Sequence, residues 1–199
     1  MKSIKKIIVL LIVIVLAAAY SFVDNTENMY DVSNEDTNRY VSTGPIYKDT
    51  FSIPVVPHEN SLDAVSLKSG IVGDVSNVTV KYRLLDAKKN IVAEGSVAAS
   101  EIEDRKQYKY SFEKVENCKD RQYYFEICEE NASEENGVTF YYDPQDNMKQ
   151  PIEVMGEKAE GAVIAKLVTH RFDLKTFVIV LCFVAYLVGF TKILYKLFK

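Results

Sequence analysis

Two tyrosines are the residues of this chain best suited to binding chemistry. The chain contains 13 tyrosines and 10 phenylalanines, and core packing accounts for those at the inward positions of alternating segments. Tyr124 and Tyr141 fall at the alternate positions, whose side chains lie on the solvent-facing side of a half-buried strand. Side by side, their rings would form a platform for a sugar ring, with phenolic hydroxyls as hydrogen-bonding groups. The alternative is that both rings pack under a loop or against another protein.

A second candidate is an oxygen-rich cluster formed by Asp143, Asp146 and Asn147. Carboxylate and amide oxygens are the ligands that calcium prefers, so the cluster is a candidate calcium site. The same residues around Pro144 also suit a simple turn. The sequence predicts no other cofactor.

Catalytic patterns are not found in the sequence. His58 and His170 are far apart and match no zinc pattern, and neither a Gly-x-Ser-x-Gly elbow nor a phosphate-binding glycine loop is present. Carboxylate groups such as Glu101 with Glu103 lie in polar turn segments, whereas glycoside hydrolysis needs two carboxyls facing each other across a cleft. We therefore predict that the chain is not an enzyme.

Two apolar segments near the ends predict how the chain is oriented in a membrane. All 28 acidic residues lie between Asp24 and Asp173, and the ends carry only lysine. We predict transmembrane helices over residues 7–23 and 176–195, with residues 1–6 and 196–199 in the cytoplasm and the middle outside. The first apolar segment also suits a cleaved signal peptide, but it continues through Phe22 and Val23, which favours an anchor.

The exported middle is predicted to be a polar linker over residues 24–47 and an all-β domain over residues 48–170. An excess of acidic residues there argues against nucleic acid as a partner. Short segments of period two, separated by turns, indicate an antiparallel β-sandwich or jelly roll of about eight or nine strands. The predicted strands include Leu62–Ile71, Arg121–Cys128 and Ala162–Val168. Hairpin turns are predicted at 86–90, with Asn90 left-handed, and at 134–137.

The exported domain contains two cysteines, Cys118 and Cys128. A disulfide is chemically allowed outside the cytoplasm. The strand between them would separate the two Cα atoms by roughly 23 Å, however, and a disulfide needs about 5.5 Å. The geometry therefore argues against a bridge unless a loop folds back over the strand.

The strand series resembles a β-sandwich domain of bacterial membrane proteins that assemble cell-surface polysaccharide. The resemblance covers about Thr50 to Val168, and it rests on five segments: 67–71, 78–92, 110–112, 121–127 and 161–168. It implies a jelly roll similar to carbohydrate-binding modules at the outer face of a bacterial membrane. This chain departs from that pattern because it lacks the multi-span glycosyltransferase-like portion and contains no tryptophan.

Two functions fit these observations. The first is a membrane-anchored, non-catalytic module that binds envelope glycan, or a partner in glycan assembly, through Tyr124 and Tyr141. The second is a structural accessory subunit of a multi-span membrane transferase or transporter, which would bind that partner through its transmembrane helices.

Overall fold

The computed structural model describes residues 2–33 and 36–198, which form two compact units. One unit, here called the β unit, is Thr26–Thr169, and the other, the helical unit, contains the residues up to Asn25 and from His170 onward. The two α-helices are α1 (Lys2–Tyr20) and α2 (Leu174–Leu197). The strands are β1 (Phe22–Asn28), β2 (Val41–Ser42), β3 (Phe51–Val55), β4 (Ser61–Val72), β5 (Thr79–Asp86), β6 (Ile91–Ala98), β7 (Lys106–Glu116), β8 (Tyr123–Glu130), β9 (Gly137–Asp143), β10 (Gln150–Val154), β11 (Glu157–Val163) and β12 (Ala165–Phe172).

The strands are joined in the order β1-β12-β4-β9-β11-β10-β3-β8-β5-β6, with β2 added to β9 and β7 added to β4. Every pairing whose register the structure describes is antiparallel. The predicted all-β antiparallel fold is therefore confirmed at this level. Residues 2–33 and 36–198 contain twelve strands, whereas the sequence predicted eight or nine.

The core of the β unit is aromatic at its centre. The inward residues of β8, Tyr123, Phe125 and Ile127, are all at most 5% exposed, as period-two burial requires. Phe140 is fully buried, and its ring stacks on Phe51 with 5.3 Å between the centroids. Such packing removes large apolar areas from water and supplies most of the stabilisation of a unit of this size.

The predicted polar linker over residues 24–47 is wrong as a description of this segment. Most of it belongs to the β unit, where it contains β2 and the short 3-10 helix Thr37–Arg39. Met29 is 8% exposed and Ile46 is fully buried, and the Met29 N–H donates to the Ala165 carbonyl at 3.0 Å. These few apolar side chains, together with backbone pairing, are sufficient to order a segment whose composition suggested a linker.

The last predicted strand, Ala162–Val168, is two strands in the structure. Up to Val163 the chain forms β11, which pairs with β9. Beyond Ile164 it forms β12, which pairs with β4. At the change of partner, the Ile164 N–H donates to the Tyr141 carbonyl at 2.9 Å, and its carbonyl accepts from the Lys68 N–H at 2.9 Å. No turn residue marks this change, so the sequence showed one uninterrupted strand.

Only α2 meets the length and hydropathy expected of a membrane-spanning helix in the part of the chain that the structure describes. The apolar part of α1, Ile7–Tyr20, is shorter, so the predicted pair of transmembrane helices is not confirmed. The first helix ends at Tyr20 rather than at residue 23, and the Ser21 hydroxyl donates to the Ala17 carbonyl at 2.6 Å. At the other end, α2 begins after Asp173, whose carboxylate accepts the N–H groups of Lys175 and Thr176.

The two predicted hairpin turns have different outcomes. Strands β5 and β6 do pair through the turn at 86–90, but Lys89 takes the left-handed conformation (φ 67°) in place of Asn90. The turn at 134–137 is not a hairpin, because β8 pairs with β3 and β5 whereas β9 pairs with β2, β4 and β11. Cys118 and Cys128 are free thiols.

Candidate functional site

The two tyrosines singled out in the sequence do not form one platform. Tyr124 lies on β8 and Tyr141 lies on β9, and three strands separate β8 from β9 in the strand order. The aromatic contacts that the structure describes do not include a contact between these two rings. The prediction of adjacent rings assumed that β8 and β9 form a hairpin, and it is wrong for that reason.

Tyr141 instead forms a cleft with a second tyrosine, Tyr40. This tyrosine cleft has a volume of about 300 Å³ and is lined by Thr37, Asn38, Tyr40, Lys68, Arg105 and Tyr141. Both rings are half-buried. The Lys68 Nζ lies 5.0 Å from the Tyr40 ring centroid and 5.8 Å from that of Tyr141, which are cation–π distances.

The backbone around Lys68 and Tyr141 fixes their positions. Both residues hydrogen-bond through their main chains to Ile164, at the point where the chain changes partner strand. Gly70, two residues from Lys68 on the same face of β4, leaves room for the Tyr141 ring. A Cβ atom at Gly70 would lie 2.6 Å from the Tyr141 hydroxyl and 3.0 Å from Thr139 Cγ2.

Tyr40 is positioned by the segment that the sequence suggested was a linker. The Asp36 carboxylate caps the 3-10 helix by accepting the Asn38 N–H at 3.1 Å. Arg39, the next residue along, forms an ion pair with the buried Asp143, with 3.0 Å between Nη2 and Oδ2. Strand β2 then pairs Ser42 with Tyr141. Tyr40 and Tyr141 are thus brought together by one short strand pairing and one ion pair.

Negative and positive side chains both act on the tyrosine cleft. Burial raises the pKa of the Tyr40 hydroxyl, and the negative charges of Asp143 and Asp146 raise it further. The hydroxyl is therefore protonated at neutral pH and can donate a hydrogen bond. Lys68 and Arg105 place two positive charges in the lining, and the Lys68 ammonium lies over both tyrosine rings.

The structure does not support the predicted calcium site at Asp143, Asp146 and Asn147. Both carboxylates are buried and already bind donors: Asp143 accepts the Gln145 N–H at 2.8 Å and pairs with Arg39. Asp146 accepts the N–H groups of Asp31 at 3.0 Å and Met148 at 2.7 Å, whereas Asn147 is exposed. These oxygens stabilise turns, and residues 2–33 and 36–198 contain no group of three His, Cys, Asp or Glu side chains that could hold a metal ion.

Tyr124 lies in a different environment, at the edge of a charged sheet face. The Lys89 Nζ lies 3.8 Å from its ring centroid and 3.4 Å from the Glu126 carboxylate. Glu126 is largely buried and also binds the Arg83 guanidinium at 2.8 Å. Lys89 lies closer to the Tyr124 ring than Lys68 lies to either ring of the tyrosine cleft, and Glu126 holds it there. Tyr124 is therefore less open to a ligand and is a matched control for the tyrosine cleft.

Replacing Gly70 with alanine should displace the Tyr141 ring from Lys68 while lowering the free energy of unfolding by only about 1 kcal/mol. The half-buried ring can turn outward, whereas a buried ring could not. Nitration of Tyr141 by tetranitromethane, followed residue by residue by mass spectrometry, should become faster, with Tyr124 unchanged as the internal control. An unchanged nitration rate at Tyr141 would contradict this account of the cleft.

Comparisons with known proteins identify no family. No protein-family model matches the chain, and no curated protein matches it. Among solved structures, the VP2 subviral particle of infectious bursal disease virus is similar over 78% of this chain and 34% of its own, at 10% identity and a TM-score of 0.32. The T=1 particle derived from the same virus is similar over 74% and 31%, at 10% identity and a TM-score of 0.29. The chain thus spans about a third of the length of these structures.

Proposed function

We propose that this chain is a membrane-anchored, non-catalytic binding protein whose β unit binds a glycan of the bacterial cell envelope, or a glycan-assembly partner, in the tyrosine cleft. The observation that carries the proposal is the pair of half-buried rings, Tyr40 and Tyr141, beside Lys68 and Asn38. Aromatic faces stack on the apolar faces of sugars, and the hydroxyl, amide and ammonium groups can hydrogen-bond to sugar hydroxyls. A jelly-roll arrangement of the strands belongs to the same proposal.

We also propose how the chain is oriented in the membrane. Helix α2 would anchor the protein in the membrane, α1 would serve as a second anchor, and the lysines beyond both apolar segments would hold both ends in the cytoplasm. The β unit would then face outward, where envelope polysaccharide is found.

Replacing Tyr141 or Tyr40 with alanine should weaken binding of the full chain to its glycan about tenfold, because each change removes one stacking face. The measurement is retention of the detergent-solubilised protein on a panel of immobilised bacterial surface glycans. Tyr124→Ala removes a half-buried tyrosine that also lies beside a lysine, and it should leave retention within about twofold of the parent.

Equal losses for Tyr124→Ala and Tyr141→Ala would show that the effect is not specific to the tyrosine cleft. Retention that survives both Tyr40→Ala and Tyr141→Ala would remove the cleft from the proposal.

The alternative, an accessory subunit of a multi-span transferase or transporter, is favoured by one observation. None of the 24 residues of α2 is buried in the structure. Such a helix could pack against another membrane protein through van der Waals contacts. Exchanging α2 for an unrelated transmembrane helix separates the two functions: glycan binding should survive the exchange, whereas an accessory subunit would no longer co-purify with its partner.

A further inference from the structure

We infer that the ligand of the tyrosine cleft is an acidic glycan whose carboxylate or phosphate group binds at Lys68 and Arg105. The inference rests on the proposed function and names the chemical class of its ligand. Its basis is the position of two cationic side chains in a cleft whose other large groups are tyrosine rings.

Lys68 differs from the lysines of the β unit whose ammonium groups bind a carboxylate. Lys81, Lys89 and Lys106 each pair with a glutamate carboxylate. Lys68 forms no ion pair in the part of the chain that the structure describes, and its ammonium group lies over two rings instead. In a protein with more acidic than basic residues, a lysine held by rings and not by a carboxylate keeps its charge available for an anion.

Arg105 supplies the second charge from the turn that precedes β7. Its guanidinium Nε lies 3.7 Å from Asp104 Oδ2, which is too long for a good hydrogen bond. The other oxygen of Asp104 accepts the Ile71 N–H at 2.9 Å, so the backbone holds this carboxylate in place. The exposed guanidinium, 78% accessible, therefore retains donors that could bind a carboxylate or phosphate in a bidentate manner.

Carboxylates also lie near the cleft, and they limit where an acidic group can bind. Asp146 acts on the Tyr40 hydroxyl, whereas the charge of Asp143 is offset by its ion pair with Arg39. An anion beside that hydroxyl would be repelled by Asp146. We therefore place the acidic group of the ligand at the ammonium of Lys68 and the guanidinium of Arg105.

The test compares an acidic polymer with its neutral ester and with a phosphate polymer. Binding of the full chain in detergent to oligogalacturonate and to its methyl ester is measured by calorimetry at low and high salt, with a glycerol phosphate polymer as the phosphate source. We expect the acid or the phosphate polymer to bind about tenfold more tightly than the neutral ester, and high salt to remove that preference. The anionic polymer whose affinity falls on Lys68→Met and Arg105→Gly carries the acidic group that is recognised.

Two variants assign the preference to the two cations. Lys68→Met retains an apolar stem, and Arg105→Gly suits the left-handed backbone of that turn (φ 58°), so both should fold. Each should reduce the preference for the acidic polymer several-fold, whereas Lys89→Met, which changes the lysine over Tyr124, should leave it intact.

The outcomes separate this inference from the proposed function. Equal affinity for the acid and its ester, or a preference that survives Lys68→Met and Arg105→Gly together, would overturn the acidic ligand while glycan binding stands. Failure of both anionic polymers to bind would also overturn the acidic ligand. Polymer binding that is unaffected by Tyr40→Ala and Tyr141→Ala would instead overturn the tyrosine cleft as the binding site.

Discussion

Phe140→Ala is expected to lower the free energy of unfolding of the β unit by about 3 to 5 kcal/mol. Phe140 is fully buried, stacks on Phe51, and meets the edge of Tyr110 at 6.2 Å between centroids. Removing its ring takes away this contact area and leaves a cavity that the strands of one continuous ladder cannot readily close. Because Phe140 lies between Thr139 and Tyr141 on β9, its loss should also loosen the tyrosine cleft.

Urea unfolding of the full chain in detergent, followed by near-ultraviolet circular dichroism of the tyrosines, measures this effect. Phe112→Ala is the matched control, because Phe112 is half-buried at the margin of the same core and contacts Phe125. It should cost less than about half as much as Phe140→Ala. Equal costs at the two positions would contradict the placement of the core.

The stability of the β unit should fall as pH rises from about 5 to about 8, and Glu129 should account for a large part of this fall. Burial raises the pKa of the Glu129 carboxyl from 4.5 to about 7, although the N–H groups of Val138 and Ile46 donate to it at 2.9 Å and 3.2 Å and oppose the shift. Below the unfolded pKa both states are protonated, and the stabilisation is complete. As pH rises towards 7, only the unfolded chain loses its proton, which lowers the free energy of unfolding by up to roughly 3 kcal/mol.

Glu129→Gln should abolish this part of the pH dependence, whatever its effect on stability at a single pH. The control is Glu130→Gln, which removes the neighbouring carboxylate, about half exposed and paired with Lys81. Urea unfolding at several pH values should give the parent slope for Glu130→Gln and a flatter slope for Glu129→Gln. Parallel slopes for the parent and Glu129→Gln would show that the carboxylate is solvated.

The sequence predicted the strands that alternate regularly, because period-two burial is a local property of the chain. In β8, for example, the alternation of Tyr123, Phe125 and Ile127 was sufficient. It did not predict which strands pair. The turn at 134–137 looks like a hairpin turn, but whether β9 joins β8 or β4 depends on packing between distant residues.

The cleft depends on the same long-range pairing, and only one of its residues was identified from the sequence. Tyr141 was found because it lies on the exposed phase of its strand. Tyr40 was missed because its segment was interpreted as a linker, although three tyrosines, Tyr30, Tyr40 and Tyr47, in an otherwise polar segment were a signal of packing. Lys68 and Arg105 could not be found, since only the β4–β9 pairing and the turn before β7 bring them to Tyr141.

Hydroxyl-radical footprinting of the full chain, with and without a retained envelope glycan, would locate the binding site on the β unit. It reports the accessibility of individual tyrosine rings, including the three that matter here. A glycan bound in the tyrosine cleft should protect Tyr40 and Tyr141 and leave Tyr124 as reactive as before. Protection of Tyr124 alone, or equal reactivity of Tyr40 and Tyr141 in the bound and free protein, would contradict a glycan site in the tyrosine cleft.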